Sequence, residues 1–246
     1  EIKAVHFVDV ARLASPSLPV YLSLIDVEYV GGTVASFLLP APVVSDERFQ
    51  ELNKQRPVRP MVRLTGNIQG LVIDALQVPE AAEQIVRLIA GQPVMSARGA
   101  EIGGALHGSI DCPVPTNGAP HVSKFSEDST SEQVVVADRL LLKIFRQVEP
   151  GVHPEVEVGR FLAQQARFPH AAPLVGTLYY RRRGADPVIL ADLQRFIVSE
   201  GTAWNATVDD LSRYFERVLA LPAEQRQAPS GPQLPLSLDA EEPPPL

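Results

Sequence analysis

A single cysteine, Cys112, in 246 residues excludes an intrachain disulfide and any Cys-only metal cluster, and it suits a reducing, cytoplasmic compartment. No apolar run approaches the ~20 residues that span a bilayer, so no membrane partner is expected. A surplus of basic residues is also missing. With 22 Lys and Arg against 29 Asp and Glu the net charge is −7, which argues against nucleic acid, because phosphate neutralisation needs a basic surface. The five histidines (His6, His107, His121, His153, His170) never fall in H-x-x-x-H or H-E-x-x-H spacing, and no metal site is expected. Gly99 and Gly104 have phosphate-loop spacing, but Ala105-Leu106 stand where Lys-Ser would be needed. Neither G-x-S-x-G nor G-x-G-x-x-G occurs.

What is present is an ordinary globular composition, 45% hydrophobic and 21% charged, with one outlier. Proline reaches 23 residues, and seven of these lie in 221–246, where no period of 2 or 3.6 is sustained. Prolines remove backbone donors and block helices, so 221–246 is expected to be an extended linker or surface segment. Pro113 to Pro120 is a second dense turn signal, and the glycines between Arg98 and Gly108 form a softer one. The chain opens on Glu1-Ile2-Lys3 without a methionine and is expected to be a piece of something longer.

Between these breaks, periodicity predicts strands over 2–10, 20–30 and 33–39, with Gly31-Gly32 as a hairpin turn. Ser45 is expected to cap a short helix, and a strand pair is expected around Thr65-Gly66-Asn67. Pro79 opens a helix with Ala82, Ile85, Val86 and Ile89 on its apolar face. The second half predicts strands at 122–125, 133–136 and 140–145, and a helix over 154–166. Strands near 174–180 and 188–196 follow, then a helix over 208–220. The expected fold class is α+β. An antiparallel-sheet subdomain covers 1–100, and a unit of five strands and one main helix covers 101–220. That second order is the order of a protein-kinase amino-terminal lobe.

Several stretches sharpen the likeness. Glu127-Asp128-Ser129-Thr130-Ser131, Asp138-Arg139-Leu140-Leu141-Leu142-Lys143-Ile144-Phe145 and Glu149-Pro150-Gly151-Val152-His153-Pro154-Glu155-Val156-Glu157 resemble the bacterial maltokinases. So does Leu193-Gln194-Arg195-Phe196-Ile197. The match is strongest over 123–218, and 1–100 resembles that family's cap subdomain in layout. The resemblance implies ATP-dependent phosphorylation of maltose to maltose 1-phosphate with Mg²⁺, and a possible trehalose synthase domain as partner in cis or in trans. It also implies a carboxy-terminal lobe with the catalytic aspartate and the metal-binding acidic motif. Neither H-x-D nor D-F-[GE] occurs here, so the lobe is expected to be absent and no catalytic residue is assigned.

The resemblance implies nucleotide contacts from six of the residues quoted above and a helix glutamate. Lys143 interrupts an apolar run, and period two places it with Leu141 and Phe145. Burying an ammonium calls for an anion, here the α- and β-phosphates and a glutamate of the following helix. The alternative is an edge-strand lysine that blocks sheet pairing. Glu157 is the expected partner, with Glu155 and Glu149 as further candidates. Ser129, Thr130 and Ser131 would bind phosphate oxygens through hydroxyl and amide groups, unless the segment is an ordinary Ser/Thr turn. Asp128 departs from the family's uncharged residue. Gln194 and Phe196 lie where a hinge would present its backbone to adenine. Trp204 is expected to anchor the start of the last helix. A reading of another class makes the chain a non-catalytic interaction module docking through residues 1–100.

Overall fold

Runs of alternating and β-branched residues build thirteen strands among the described residues in a computed structural model of this chain. The structure describes residues 1–13, 18–55, 57–91, 93–107, 122–124, 132–166, 168–199, 201–222 and 226. Ser129, Thr130 and Ser131, the Pro113–Pro120 break, Asp128, Cys112 and most of the proline-rich 221–246 lie outside them. The chain divides into two units, Glu1–Ile197 and Val198–Leu246.

The first unit starts with a meander of three long strands, β1 (Ile2–Leu13), β2 (Val20–Tyr29) and β3 (Val34–Val44). Helix α1 (Asp46–Gln55) follows, with the Arg48 amide donating to the capping Ser45 hydroxyl at 3.2 Å. Short strands β4 (Val62–Leu64) and β5 (Gly70–Val72) extend the sheet in the order β1-β2-β3-β5-β4. A 3₁₀ turn, Ala75–Gln77, leads into helix α2 (Pro79–Ala90), whose Ala81, Ala82, Ile85, Val86 and Ile89 are buried.

A second sheet follows. Its strands are β6 (Val94–Met95), β7 (Glu101–Leu106), β8 (Val122–Lys124), β9 (Glu132–Val136) and β10 (Leu140–Ile144), with β12 (Leu174–Arg181) and β13 (Val188–Arg195). The spatial order is β6-β7-β12-β13-β10-β9-β8, antiparallel throughout. Between β10 and β12 the chain makes β11 (Gln147–Val148), which pairs back onto β3, then helix α3 (Pro154–Arg160) and a π-helical turn, Phe161–Gln165. The strand-strand-strand-helix-strand-strand order expected for 101–220 is present. The division expected at residue 100 falls inside the β6–β7 hairpin, both strands of which belong to the second sheet.

That hairpin is where the glycines mislead. Gly103 and Gly104 read as a turn-rich break, yet both lie in β7, a strand paired on both sides. A Cβ on Gly104 would overlap the backbone of Ile89 on α2, and one on Gly103 would lie 2.8 Å from the Pro93 side chain. The glycines let helix and strand approach closely. Ile85 and Ile89 share one core cluster with Leu22 and Leu38 of the first sheet and with Ile102, Leu142, Leu178 and Leu193 of the second.

Two buried carboxylates join the sheets. In β1 the register slips between Phe7 and Asp9, so that Phe7 is 67% exposed while Asp9 is buried. Asp9 Oδ2 accepts from Ser96 Oγ at 2.7 Å and from Tyr180 OH at 2.9 Å, and Oδ1 accepts from the amides of Val10 and Arg98. Burial alone would raise its pKa; these donors outweigh that and hold it below the usual carboxylate value. Asp74, before the 3₁₀ turn, pairs with Arg146 just after β10.

The second unit contains α4 (Ala203–Ala220), capped by Thr202 Oγ1, which accepts from the Asn205 amide at 3.1 Å. This helix starts five residues earlier than its periodicity predicts, because the Thr202 cap recruits the segment around Trp204. Trp204 is 74% exposed and anchors nothing among the described residues.

Two stability predictions follow from the joints. Asp9→Ala leaves two hydroxyls and two amides without their carboxylate acceptor and is expected to cost about 3 kcal/mol in chemical denaturation at pH 7. Asp9 stabilises above its unfolded value, about pH 4, and that contribution drains away as pH falls through the lower folded value. A loss below 1 kcal/mol, or one that persists at pH 2, would contradict the assignment. Gly104→Ala is expected to cost about 2–4 kcal/mol by forcing α2 off the sheet. A melting temperature equal to wild type would show that the close approach is not tight.

Candidate functional site

Antiparallel pairing lines up side chains across the second sheet. Gln133 on β9, Lys143 on β10, Asp192 on β13, Thr177 on β12 and Ala105 on β7 form one cross-strand row. The adjoining row carries Leu141 and Gln194. On the opposite face Leu142, Ile144, Ala191 and Leu193 fill the core with α2. One face is apolar and closed. The other carries the polar groups and is flanked by α3.

Lys143 stands on that polar face with Leu141 and Phe145, as its period predicts. Its side chain is 15% exposed, and its ammonium donates to both carboxylate oxygens of Glu155 at 2.6 and 2.5 Å. It also lies 5.8 Å from the Phe145 ring centroid. An edge-strand lysine is excluded, because β10 is paired on both sides.

Glu157, the expected partner, is exposed, and Glu155 takes its place. The reason is helix rotation. In the sequence Val158, Phe161 and Leu162 form an apolar stripe beside Glu157, but Val158 and Phe161 are 55% and 52% exposed. The inward positions are Val156, which is buried, and Gly159, whose built Cβ would lie 3.7 Å from Leu174. Glu155 flanks that face on the Lys143 side; Glu157 lies about 100° round from Val156 in the other direction. Glu149 is exposed as well.

His153 sets where α3 begins. Its Nδ1 accepts from the Glu155 amide at 3.3 Å, and its ring stacks on Phe145 at 3.7 Å. Burial lowers its pKa, with Lys143 adding to the effect and Glu155 opposing it. The neutral ring is the form able to accept from an amide.

Asp192 was not expected. It is completely buried. Its Oδ2 accepts from Gln194 Nε2 at 3.0 Å, and among the described residues no donor reaches Oδ1. Burial pushes its carboxyl up to about 6, with Glu155 adding to the effect, while the Gln194 hydrogen bond and Lys143 oppose it. The available signal was a lone acid inside the apolar run Val188-Ile189-Leu190-Ala191-Asp192-Leu193. Beyond it, Thr177 Oγ1 lies 3.1 Å from His107 Nε2; burial, and then Arg160, lower the His107 pKa.

The hinge residues have internal partners. Gln194 uses its side chain on Asp192. The Arg195 amide donates to Pro173 O at 2.9 Å and the Phe196 amide to Arg139 O at 2.7 Å. Among the described residues no group of three or more His, Cys, Asp or Glu side chains converges to hold a metal ion. No described helix is long and apolar enough to cross a membrane.

No family model matches the chain. Among solved structures it is similar to glucosamine kinase in one crystal form, at 16% identity and TM-score 0.42 over 91% of this chain. A second crystal form gives 14% and 0.44 over 89%. A glucosamine kinase in complex with glucosamine, ADP and inorganic phosphate gives 15% and 0.42 over 87%. The chain spans 41% of the length of each of these structures. A likeness this loose says nothing about chemistry, which rests on the side chains above.

The buried acid has a measurable consequence. Asp192 is neutral in folded and unfolded chains below about pH 4. Between pH 4 and 6 the unfolded chain ionises first, so the fold is progressively destabilised, by at most about 3 kcal/mol for a shift of some two units. Asp192→Asn is expected to remove that slope. Its stability relative to wild type, from urea denaturation, should rise between pH 4 and pH 7 and then level off. A pH-independent difference would refute a raised carboxyl.

Proposed function

We propose that this chain is the amino-terminal part of a maltokinase-type sugar kinase, and that Lys143 is its nucleotide-phosphate ligand. The observation that carries the reading is the ammonium on a doubly paired strand, held by a carboxylate that is itself 46% exposed. Such a counter-ion lies at the solvent edge, where phosphate oxygens can reach the same ammonium. On this reading Lys143 orients the α- and β-phosphates of ATP, and Glu155 fixes the lysine between turnovers. Ser129, Thr130 and Ser131 supply further phosphate donors, and the hinge backbone at Gln194 and Phe196 receives adenine.

The reaction is transfer of the γ-phosphoryl group to the anomeric hydroxyl of maltose. The bond between the γ-phosphorus and the β,γ-bridging oxygen breaks, a P–O bond to the sugar forms, and the hydroxyl proton passes to an aspartate of the carboxy-terminal lobe. Mg²⁺ would neutralise the phosphate charge. The described residues do not fit a site for it, and its ligands belong on this reading to that same lobe. ATP and maltose are the substrates, and the compartment is the cytoplasm.

One observation favours a second reading, an interaction module that docks onto a trehalose synthase domain. Among the described residues strand β1 pairs only with β2, and its Val5 and Phe7 are 50% and 67% exposed. A long apolar edge of this kind invites a partner.

Calorimetric titration of the 246-residue chain with MgATP distinguishes them. With only one wall of the cleft present, binding is expected no tighter than about 100 μM. Lys143→Ala should weaken it at least fivefold, since a charge-assisted bond is worth about 1.5–3 kcal/mol. Micromolar binding that survives Lys143→Ala places the site elsewhere. No binding at all, by a folded chain, favours the interaction module.

A further inference from the structure

Lys143 has two carboxylates as neighbours, Glu155 on α3 and its cross-strand partner Asp192, and it is hydrogen-bonded to the first. Two of its three ammonium protons go to Glu155. Asp192 sits directly opposite on the neighbouring strand, an arrangement that brings Cβ atoms within about 4.5–5.5 Å. Asp192 Oδ1, fully buried, receives no hydrogen bond from any described residue. A buried carboxylate oxygen without a donor is costly, and the cation whose charge acts on Asp192 is the ammonium of Lys143, its register partner one strand away. On the nucleotide-site reading, we propose that Asp192 is a positioning residue that competes with nucleotide phosphate for the Lys143 ammonium, so that the charge on its carboxyl sets how tightly the site holds a polyphosphate.

The charge count gives the sign. Lys143, Glu155 and an ionised Asp192 sum to −1, which repels an incoming triphosphate and also offers the ammonium a buried alternative to it. With Asp192 neutral the sum is zero and the alternative is gone. Burial places this change near pH 6. The other groups facing Asp192 are few. From α3 come Glu155, with His153 at its cap and Arg160 further along; from β12, Thr177, backed by His107 just after β7; from β9, Gln133 in the same row. Both histidines have lowered pKa values and gain charge only as pH falls, so they favour phosphate in the same direction as Asp192. An Asp192 variant is needed to separate the contributions.

The test is MgATP titration of the full chain, wild type and Asp192→Asn, at pH 5.5 and pH 7.5. One unit charge at this range in a partly solvated site changes affinity about fivefold. Asp192→Asn is expected to bind about fivefold more tightly than wild type at pH 7.5, with the two converging within twofold at pH 5.5. A merely structural role for Asp192 would not produce a gap that closes with pH. Binding by both proteins with no gap, or weaker binding by Asp192→Asn at both pH values, overturns the competition and leaves the nucleotide site standing. Absence of binding by both overturns the nucleotide-site reading and the competition with it.

A second readout needs neither nucleotide nor any change at Asp192. Carbon-13 NMR follows its carboxyl titration in wild type, Glu155→Gln and the double variant Glu155→Gln/Lys143→Met. Releasing the ammonium from Glu155 should lower the Asp192 midpoint by a unit or more, and removing Lys143 should abolish that drop. A midpoint that does not move in Glu155→Gln, or that falls equally without Lys143, shows that the ammonium does not transfer and overturns the proposal.

Discussion

The Asp9 carboxylate is the joint on which the two sheets depend. Carboxylate oxygens removed from water need donors on nearly every lone pair, and Asp9 draws its four from three places: its own strand, the Ser96–Arg98 turn after β6, and Tyr180 on β12. All three must be in position before any of those bonds is complete. The slip in β1 turns Asp9 inward, and the same slip turns Ala11 and Leu13 towards the core while leaving Val5 and Phe7 outside. Asp74 and Arg146 make the second joint, with the Leu38 amide donating to Arg146 O at 2.8 Å. Together they restrain the second sheet through β12 and the end of β10. Neighbouring strands therefore hold Lys143 in place, and its position does not rely on α3 alone.

Close packing of α2 completes that frame. Gly104 and Gly176 both face Ile89 at distances that leave no room for a Cβ. With helix and sheet so near, the apolar face of the second sheet is sealed mainly by aliphatic side chains, with Tyr180 among them reaching Asp9. Polar groups that the same strands carry have one remaining place, the opposite face. The row from Gln133 to Thr177 is thus a result of strand alternation plus one closed side. Its chemistry was available in the sequence; its grouping was not, because register links residues far apart in the chain, such as Lys143 with Asp192 and Ala105 with Thr177.

Elements with strong period were legible from the residues: β2, the apolar face of α2, and the face of β10 carrying Lys143. What failed had a physical reason in each case. β7 was hidden because glycine signals both turns and close approach, and only the position of α2 decides between them. The partner of Lys143 was displaced by two residues because the Val158, Phe161 and Leu162 pattern is itself apolar. Periodicity cannot tell an apolar stripe that faces a sheet from one left exposed. The Trp204 stripe of α4 raises the same ambiguity: Val208, Leu211, Phe215 and Leu219 follow it at helical spacing and are all exposed.

The placement of the two acids beside Lys143 is the deeper asymmetry. Glu155 lies on a helix whose entry is fixed by His153 and Pro154 and whose inward contact is made by Val156 and Gly159. Small rotations of α3 would carry Glu155 away from the sheet without opening the core. Asp192 has no such freedom, since its strand is paired on both sides and its Oδ2 is tied to Gln194. One carboxylate is adjustable and wet, the other fixed and dry. An ammonium between them moves towards whichever is charged and free, at a cost set by desolvation more than by distance. On the nucleotide-site reading proposed above, that difference in environment, rather than the number of charges, is what would let a single lysine on a rigid sheet respond to a ligand.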